Sequence, residues 1–425
     1  MAFGLQRRSF PVRLRGALAA TAAVLALGLS GPARAGTVDF WTLFSGPDGA
    51  AIEKLVNEFN STAGKETDVQ VKLLIIPWND FNTKLSVAMA SRKAPALTVV
   101  NSDQVALYAN QGTLEPFTDE ELAAAGIRKD DYVPAAWNAG TFKDKQYGIP
   151  ISIFPRSLYF NKALLEKAGL DPMKPPATKA ELLDYAQKTT DKANGVYGLF
   201  FSPTGIGTVR NFYSVYWQYA DSIYNDDMSD VSDGFKETAT KVLNDFKTFM
   251  DAGVVPDKDV SQDVTKLFAQ NKIGMAVMQI TDLPVFQAAA RDLGLQYGIA
   301  GFPQIGERPA VFALAHEFLI PRGTSEAARK DGLTFIKWLG AHGVDWAKTG
   351  KVSPQRSVID SAEYKALPEQ EIVTGAIDTA RFPPPIVKQP AVDKAVQQVL
   401  EQFFARRIDV DEAVEELASG IGSAL

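Results

Sequence analysis

Hydrophobic positions recur along this chain with two different periods. Ile52, Leu55, Val56 and Phe59 follow the i, i+3, i+4, i+7 spacing of one helix face, whereas Val69, Val71, Leu73 and Ile75 alternate like a half-buried strand. Residues 38–43 predict a buried strand before that helix, Gly64 its end, and Pro77 the end of the second strand. Phe81, Leu85, Ala88 and Met89 then line another helix, and residues 97–100 form a third strand. A strand–helix–strand rhythm of this kind predicts an α/β, doubly wound, mostly parallel sheet.

A second series begins after residues 147–151, a short extended segment that suits a crossing between two lobes. It predicts strands at 158–160, 197–201 and 274–278 and helices at 162–168, 179–189 and 241–250. Residues 297–303 offer a second crossing, followed by a strand at 317–320 and a helix at 325–339. Two further helices, 392–406 and 411–421, end the pattern. The expected division is residues 36–148 and 300–345 for lobe 1, and residues 149–299 and 346–425 for lobe 2. Ligands in such folds bind at the carboxyl ends of the strands, here a cleft between lobes.

Composition narrows the chemistry. The chain has 425 residues, 46% hydrophobic and 22% charged, as a folded globular protein requires. With no cysteine there is no disulfide, thiolate metal site or Cys nucleophile, and two histidines make a multi-histidine metal centre an unsuitable reading. Residues 1–35 read as an export signal: arginines from Arg7 to Arg15, an apolar stretch over residues 16–29 too short to span a bilayer, and Ala33-Arg34-Ala35 as cleavage site. Arg7-Arg8-Ser9-Phe10 fits twin-arginine export, and a general secretory leader fits equally. Cleavage would take the net charge from −6 to near −11, which argues against nucleic acid as a partner.

Five segments carry a family resemblance: the Val38-Asp39-Phe40-Trp41 strand with its Ser45-Gly46 loop; Ala94-Pro95-Ala96-Leu97-Thr98 leading to Tyr108-Ala109-Asn110-Gln111-Gly112; Tyr147-Gly148-Ile149-Pro150 with Leu158-Tyr159-Phe160-Asn161-Lys162; Phe268-Ala269-Gln270-Asn271-Lys272; and Phe318-Leu319-Ile320-Pro321-Arg322-Gly323. On these the chain resembles family 1 of the extracellular solute-binding proteins, the periplasmic sugar-binding components of ABC importers. The resemblance implies a two-lobed periplasmic-binding-protein fold, each lobe a doubly wound mostly parallel sheet joined by hinge crossings. It further implies a monomer in the periplasm that captures a sugar or oligosaccharide, delivers it to ABC permease subunits in the membrane, and uses no cofactor.

The resemblance places binding groups in the loops after the strands. In the first lobe these are Phe44, Ser45, Trp78, Asp80, Asn101 and Asp103; in the second, Ser152, Arg156, Trp217, Gln279 and Asp282, with His316 and Arg356 from the returning segments. Five have a plainer reading: Asp103 as a helix N-cap, Trp78 as a packed aromatic, Arg156 in a hinge salt bridge, Trp217 in the core, and His316 paired with Glu317. Relatives often carry a Trp after the strand at 274–278; here Gln279-Ile280-Thr281-Asp282 stands there, which disfavours a long oligosaccharide. Arg156, His316 and Arg356 together suit a phosphate or carboxylate, so glycerol-3-phosphate or a sugar acid stands as the alternative ligand class. Enzyme motifs such as G-x-S-x-G, H-E-x-x-H and the P-loop are absent, and an exported carbohydrate-active enzyme is the remote alternative.

Overall fold

Alternation builds the first sheet as expected. In β1 (Gly36–Thr42) Val38, Phe40 and Thr42 are buried while Thr37 and Asp39 face solvent. The computed structural model describes residues 36–256, 259–260 and 263–425; the leader expected at residues 1–35 lies outside them. β2 (Val69–Ile75) and β3 (Leu97–Asn101) flank β1, both parallel to it. The helix Pro47–Ser61 that joins β1 to β2 buries Ile52, Leu55, Val56 and Phe59. Gly64 does not end this helix but sits in a short second one, Ala63–Thr67, where a Cβ would come within 2.6 Å of the Val69 carbonyl. The turn falls instead to Asp68, at φ 55°.

A small ribbon, β4 (Thr141–Phe142) with β5 (Lys145–Gln146), turns through Lys143 and Asp144 at positive φ and leads into β6 (Gly148–Asn161). β6 is one strand of 14 residues, so the crossing at 147–151 and the strand at 158–160 are two ends of a single element. β7 (Tyr197–Phe200), β8 (Ile273–Gln279), β9 (Tyr297–Ala300), β10 (Val311–Leu319) and β11 (Ala380–Arg381) complete the order β2-β1-β3-β10-β6-β8-β7, with β9 on β6 and β11 on β10. The outer pairs, β1–β2, β1–β3 and β7–β8, are parallel; β6 and β10 run antiparallel to each other and to β8 and β3 respectively.

The second crossing also differs from expectation. Residues 297–303 contribute only β9, an edge partner of β6, whereas β10 makes the crossing. Two hydrophobic cores identify it. Ile149, Phe318 and Leu319 belong to the first core with Phe40, Phe59 and Phe335, and Ile153, Leu314 and Ala315 to the second with Tyr159, Phe212 and Phe286. β6 and β10 therefore change cores at the same level, where the register slips between His316 and Glu317. The chain crosses a third time between Trp346, in the first core, and Val352, in the second, where Ile153 and Val352 exchange backbone hydrogen bonds of 2.8 and 3.0 Å. The result is a two-lobed α/β fold. Among the described residues no helix is long and apolar enough to cross a membrane.

Candidate ligand-binding cleft

The ends of β1, β2, β3 and β8 converge between the two cores on a cavity of roughly 260 Å³. Ser45, Trp78 and Asn101 line it from the first lobe, Arg210, Gln279 and Asp282 from the second, and Phe154 and His316 from the crossing strands. A second cavity, about 280 Å³, lies inside the second lobe among Phe201, Phe246, Phe249 and Phe404, with Arg406 as its one charged lining group among the described residues. Only the first gathers polar groups at strand ends, the arrangement that orients a polar ligand.

Trp78 opens the helix Trp78–Ala90 after Pro77, and its backbone N–H donates to Ser45 Oγ at 3.2 Å, tying the β1 loop to the helix. The residue is 46% exposed, which leaves aromatic surface free at the rim. Asn101 ends β3 and Gln279 ends β8; each keeps a buried side-chain oxygen without a hydrogen-bond partner. Asp282 follows in the turn after β8, where burial pushes its carboxyl up to about 6 against the pull of Arg156. Asp103 neighbours the cavity on the turn Ser102–Gln104 without lining it; burial raises its pKa and Arg210 opposes the rise. It makes no cap, its one side-chain partner being Gln104 at 3.2 Å.

The structure gathers the cations differently from expectation. His316 is buried, stacked on Phe154 with ring centres 4.2 Å apart, and shares a 2.8 Å hydrogen bond through Nδ1 with Ser152. Burial and the charges of Lys351 and Arg210 hold its pKa well below the usual value, so it is neutral at pH 7 and brings no positive charge to the cavity. It does not pair with Glu317, because neighbouring strand residues face opposite sides of the sheet. Arg156 is buried behind the cavity, donates from Nη2 to the Val277 carbonyl at 2.7 Å, and is pulled down to about 9 by burial and by Arg210. Arg356 is exposed at the start of the helix Arg356–Ile359 and does not line the cavity. The triad of Arg156, His316 and Arg356 is thus not assembled.

Four other expected residues stand away from the cavity wall. Phe44 is fully buried, packed on Trp346 at 4.8 Å and edge-on to His316 at 4.9 Å. Ser152 is buried beneath His316, and Asp80 faces solvent opposite Lys84 at 3.9 Å. Trp217 lies in the second core, parallel to Phe312 with ring centres 5.9 Å apart.

Two basic groups take the vacated roles. Arg210, buried on the helix Gly205–Tyr216, lines the cavity with its guanidinium over Phe312 at 5.6 Å and Phe154 at 6.0 Å, and its Nε has no partner. Every neighbour from Thr208 to Tyr216 is buried too, so one guanidinium in an otherwise uncharged helix was the available signal. Lys351 is buried over the Phe44 and Trp346 rings and reaches Asp48 Oδ2 on the cavity wall at 2.8 Å. Burial lowers its pKa and Asp48 raises it. No sequence signal joins two residues so far apart in the chain.

Comparison with known proteins fits this geometry. The profile of the bacterial extracellular solute-binding proteins matches residues 54–371. A putative binding protein of Brucella abortus (strain 2308) is 26% identical over 285 residues, which span 65% of this chain and 66% of that protein, just under two thirds of its length. The sn-glycerol-3-phosphate-binding periplasmic protein UgpB of Escherichia coli (strain K12) is 32% identical over 188 residues, 41% of each chain. A solute-binding protein of an ABC transporter from Thermotoga lettingae, solved with alpha-D-tagatose, superposes with a TM-score of 0.77 at 23% identity, covering 92% of this chain and 99% of that one. The GacH receptor of Streptomyces glaucescens, solved unliganded and with acarbose, gives 0.79 at 20% identity, covering 92% and 98%.

Proposed function

The chain belongs to the family of bacterial extracellular solute-binding proteins, and from that premise we propose that it is the periplasmic receptor of an ABC importer. In this reading it captures a sugar or sugar derivative between its lobes and hands it to the membrane permease, with ATP hydrolysed on other chains. Maturation before Gly36 would free it into the periplasm. Closure is selected by contacts that only the closed state completes.

The observation that carries the ligand class is a match of charges beside a surplus of acceptors. Lys351 faces Asp48, Arg210 feels Asp103, and Arg156 feels Asp282, so each cation is answered by an acid. Asn101 Oδ1 and Gln279 Oε1 meanwhile stay without partners. Hydroxyl groups would satisfy those oxygens, Arg210 could donate to a hydroxyl or ring oxygen, and the Trp78 face would take an apolar ring edge. An uncharged sugar fits this set. A polyol phosphate is the second reading, favoured by the unpartnered Arg210 Nε and by the partial match to UgpB. The role is capture without turnover.

A thermal-shift screen of the protein from Gly36 onward tests both, using neutral mono- and disaccharides, polyols, sugar acids and glycerol-3-phosphate. Ligand at a hundred times its dissociation constant adds about 2.7 kcal/mol. Shifts with neutral sugars support the first reading, and shifts confined to anions replace it with the second. Trp78→Ala should then weaken binding tenfold or so, about 1.4 kcal/mol, while leaving the unliganded melting temperature unchanged; an unchanged affinity removes Trp78 from the site.

A further inference from the structure

Beside the cleft, three charged groups meet across the two lobes in a way that ligand capture does not require. Asp103 stands on the turn Ser102–Gln104, which continues the first-lobe strand β3. That turn packs against the helix Gln389–Phe404, whose Val392, Val396 and Leu400 belong to the second core. Asp393 on this helix accepts hydrogen bonds at Oδ1 from Tyr213 Oη and Gln389 Nε2, both at 2.8 Å, and Tyr224 Oη donates to Gln389 Oε1 at 3.1 Å. Arg210 is the cation that both carboxylates act on, and the two carboxylates also act on each other. Its guanidinium is held by rings from both crossing strands, Phe154 on β6 and Phe312 on β10. Among the described residues Arg210 makes no direct ion pair, so both carboxylates act on it without contact.

We propose that Asp393, Arg210 and Asp103 form a proton-controlled latch between the lobes. With Asp393 protonated, one guanidinium balances one carboxylate across the interface and the lobes stay together. With Asp393 ionised, two carboxylates share one guanidinium, and the surplus charge drives Asp103 and its lobe away. The inference rests on the opening and closing assumed in the proposed function, but not on which ligand is bound.

The direction follows from linkage. Burial, then the charge of Asp103, push the Asp393 carboxyl up to about 7, against the hydrogen bonds from Gln389 and Tyr213 and the pull of Arg210. Opening withdraws Asp103 and admits water, which lowers that value, so the closed arrangement holds the proton more tightly. Falling pH therefore favours closure. Asp103 adds to the same sign, since burial raises it as well. The other groups facing the cluster keep a constant charge near neutrality: Tyr213 and Tyr224 are raised above their usual value, Arg156 stays near 9, and His316 is neutral. Asp282, near 6, is the one other cleft group that titrates close by, and it faces Arg156 rather than Asp393.

The chain has no cysteine, so a pair introduced at two exposed rim positions, Lys84→Cys and Val285→Cys, can carry spin labels without background. Interlobe distances are then recorded on the ligand-free protein between about pH 8 and about pH 6. The short-distance population should grow on acidification with a midpoint near 7, the closed-to-open ratio changing at most about tenfold for each pH unit crossed. Asp393→Asn, which keeps an acceptor for Tyr213, should stay closed and lose the pH response; Asp103→Asn should weaken the response from the other side. A pH response unchanged in both variants, or two populations indifferent to pH in the parent, overturns the latch alone. A single distance at every pH and with every compound of the ligand screen overturns the capture mechanism as well.

Discussion

Glu317 is the most isolated charge-bearing side chain of the crossing region. It is fully buried, neither carboxylate oxygen has a partner, and burial alone raises its pKa well above 4.5. Burial of this kind favours the protonated carboxyl over the carboxylate. Its folded-state pKa lies above the unfolded value, so its contribution is intact below about pH 4.5 and is lost as pH rises toward the folded value. Glu317→Gln, neutral at every pH, should therefore melt higher than the parent near pH 8 and show less advantage near pH 5. The gain should be about 1.4 kcal/mol for each pH unit crossed between the unfolded and folded values. Parallel melting curves at both pH values would show that Glu317 is not held neutral. Lys351 makes the opposite case, a buried charge with a partner. Lys351→Ala leaves Asp48 uncompensated and should cost about 3 kcal/mol in denaturant unfolding; a loss under about 1 kcal/mol would make the pair dispensable. In the sequence Glu317 read only as a partner for His316, and Lys351 carried no signal at all. A lysine before Val352-Ser353-Pro354 reads as a solvated loop, and only the fold carries it to Asp48. Trp78, Asn101, Gln279 and Asp282 were legible because they end or closely follow strands, whereas Phe44, just past β1, is buried by packing from elsewhere and Ser152 proves to lie inside β6.

Elements with a clean period were legible and interrupted ones were not. The helix Pro47–Ser61 and strands β1 to β3 follow their patterns closely. β6 does not, because Pro150 and Pro155 break its run of 14 residues, and proline argues against an interior strand. The bulge between His316 and Glu317 resolves the conflict: Ser152 and Pro150 face consecutive residues of β10, and Ile151 is left unopposed. At the far edge of the sheet, β2 is protected by a side chain. Asn60 on the helix Pro47–Ser61 donates from Nδ2 to the Val71 carbonyl at 2.9 Å and accepts from the Val71 N–H at 2.8 Å, occupying the backbone pair a foreign strand would use. Asn60→Ala should cost about 1–2 kcal/mol for the two lost bonds and speed aggregation at temperatures where the parent stays clear. Light scattering beside a melting curve checks it; equal aggregation at equal stability would mean that the edge needs no such cover.

Two cores joined by three crossings meet in one thin layer. β6 changes core between Ile149 and Ile153, β10 between Ala315 and Phe318, and the third crossing follows between Trp346 and Val352. The bulge lies in this layer, and so do Glu317 and the close approach of Gly148. A Cβ on Gly148 would lie 2.7 Å from Glu317 Oε2 and 3.1 Å from Gly140 Cα, so even one methyl group must move the crossing strand or the buried carboxyl. If the layer is the hinge, Gly148→Ala should do two things together. It should cost about 1–3 kcal/mol of stability, as overpacking does, and it should shift the ligand-free distribution of interlobe distances. A loss of stability with an unchanged distribution would place the pivot elsewhere and leave Gly148 as packing alone. A changed distribution would tie the Gly-Ile-Pro segment to the closure proposed for the cleft.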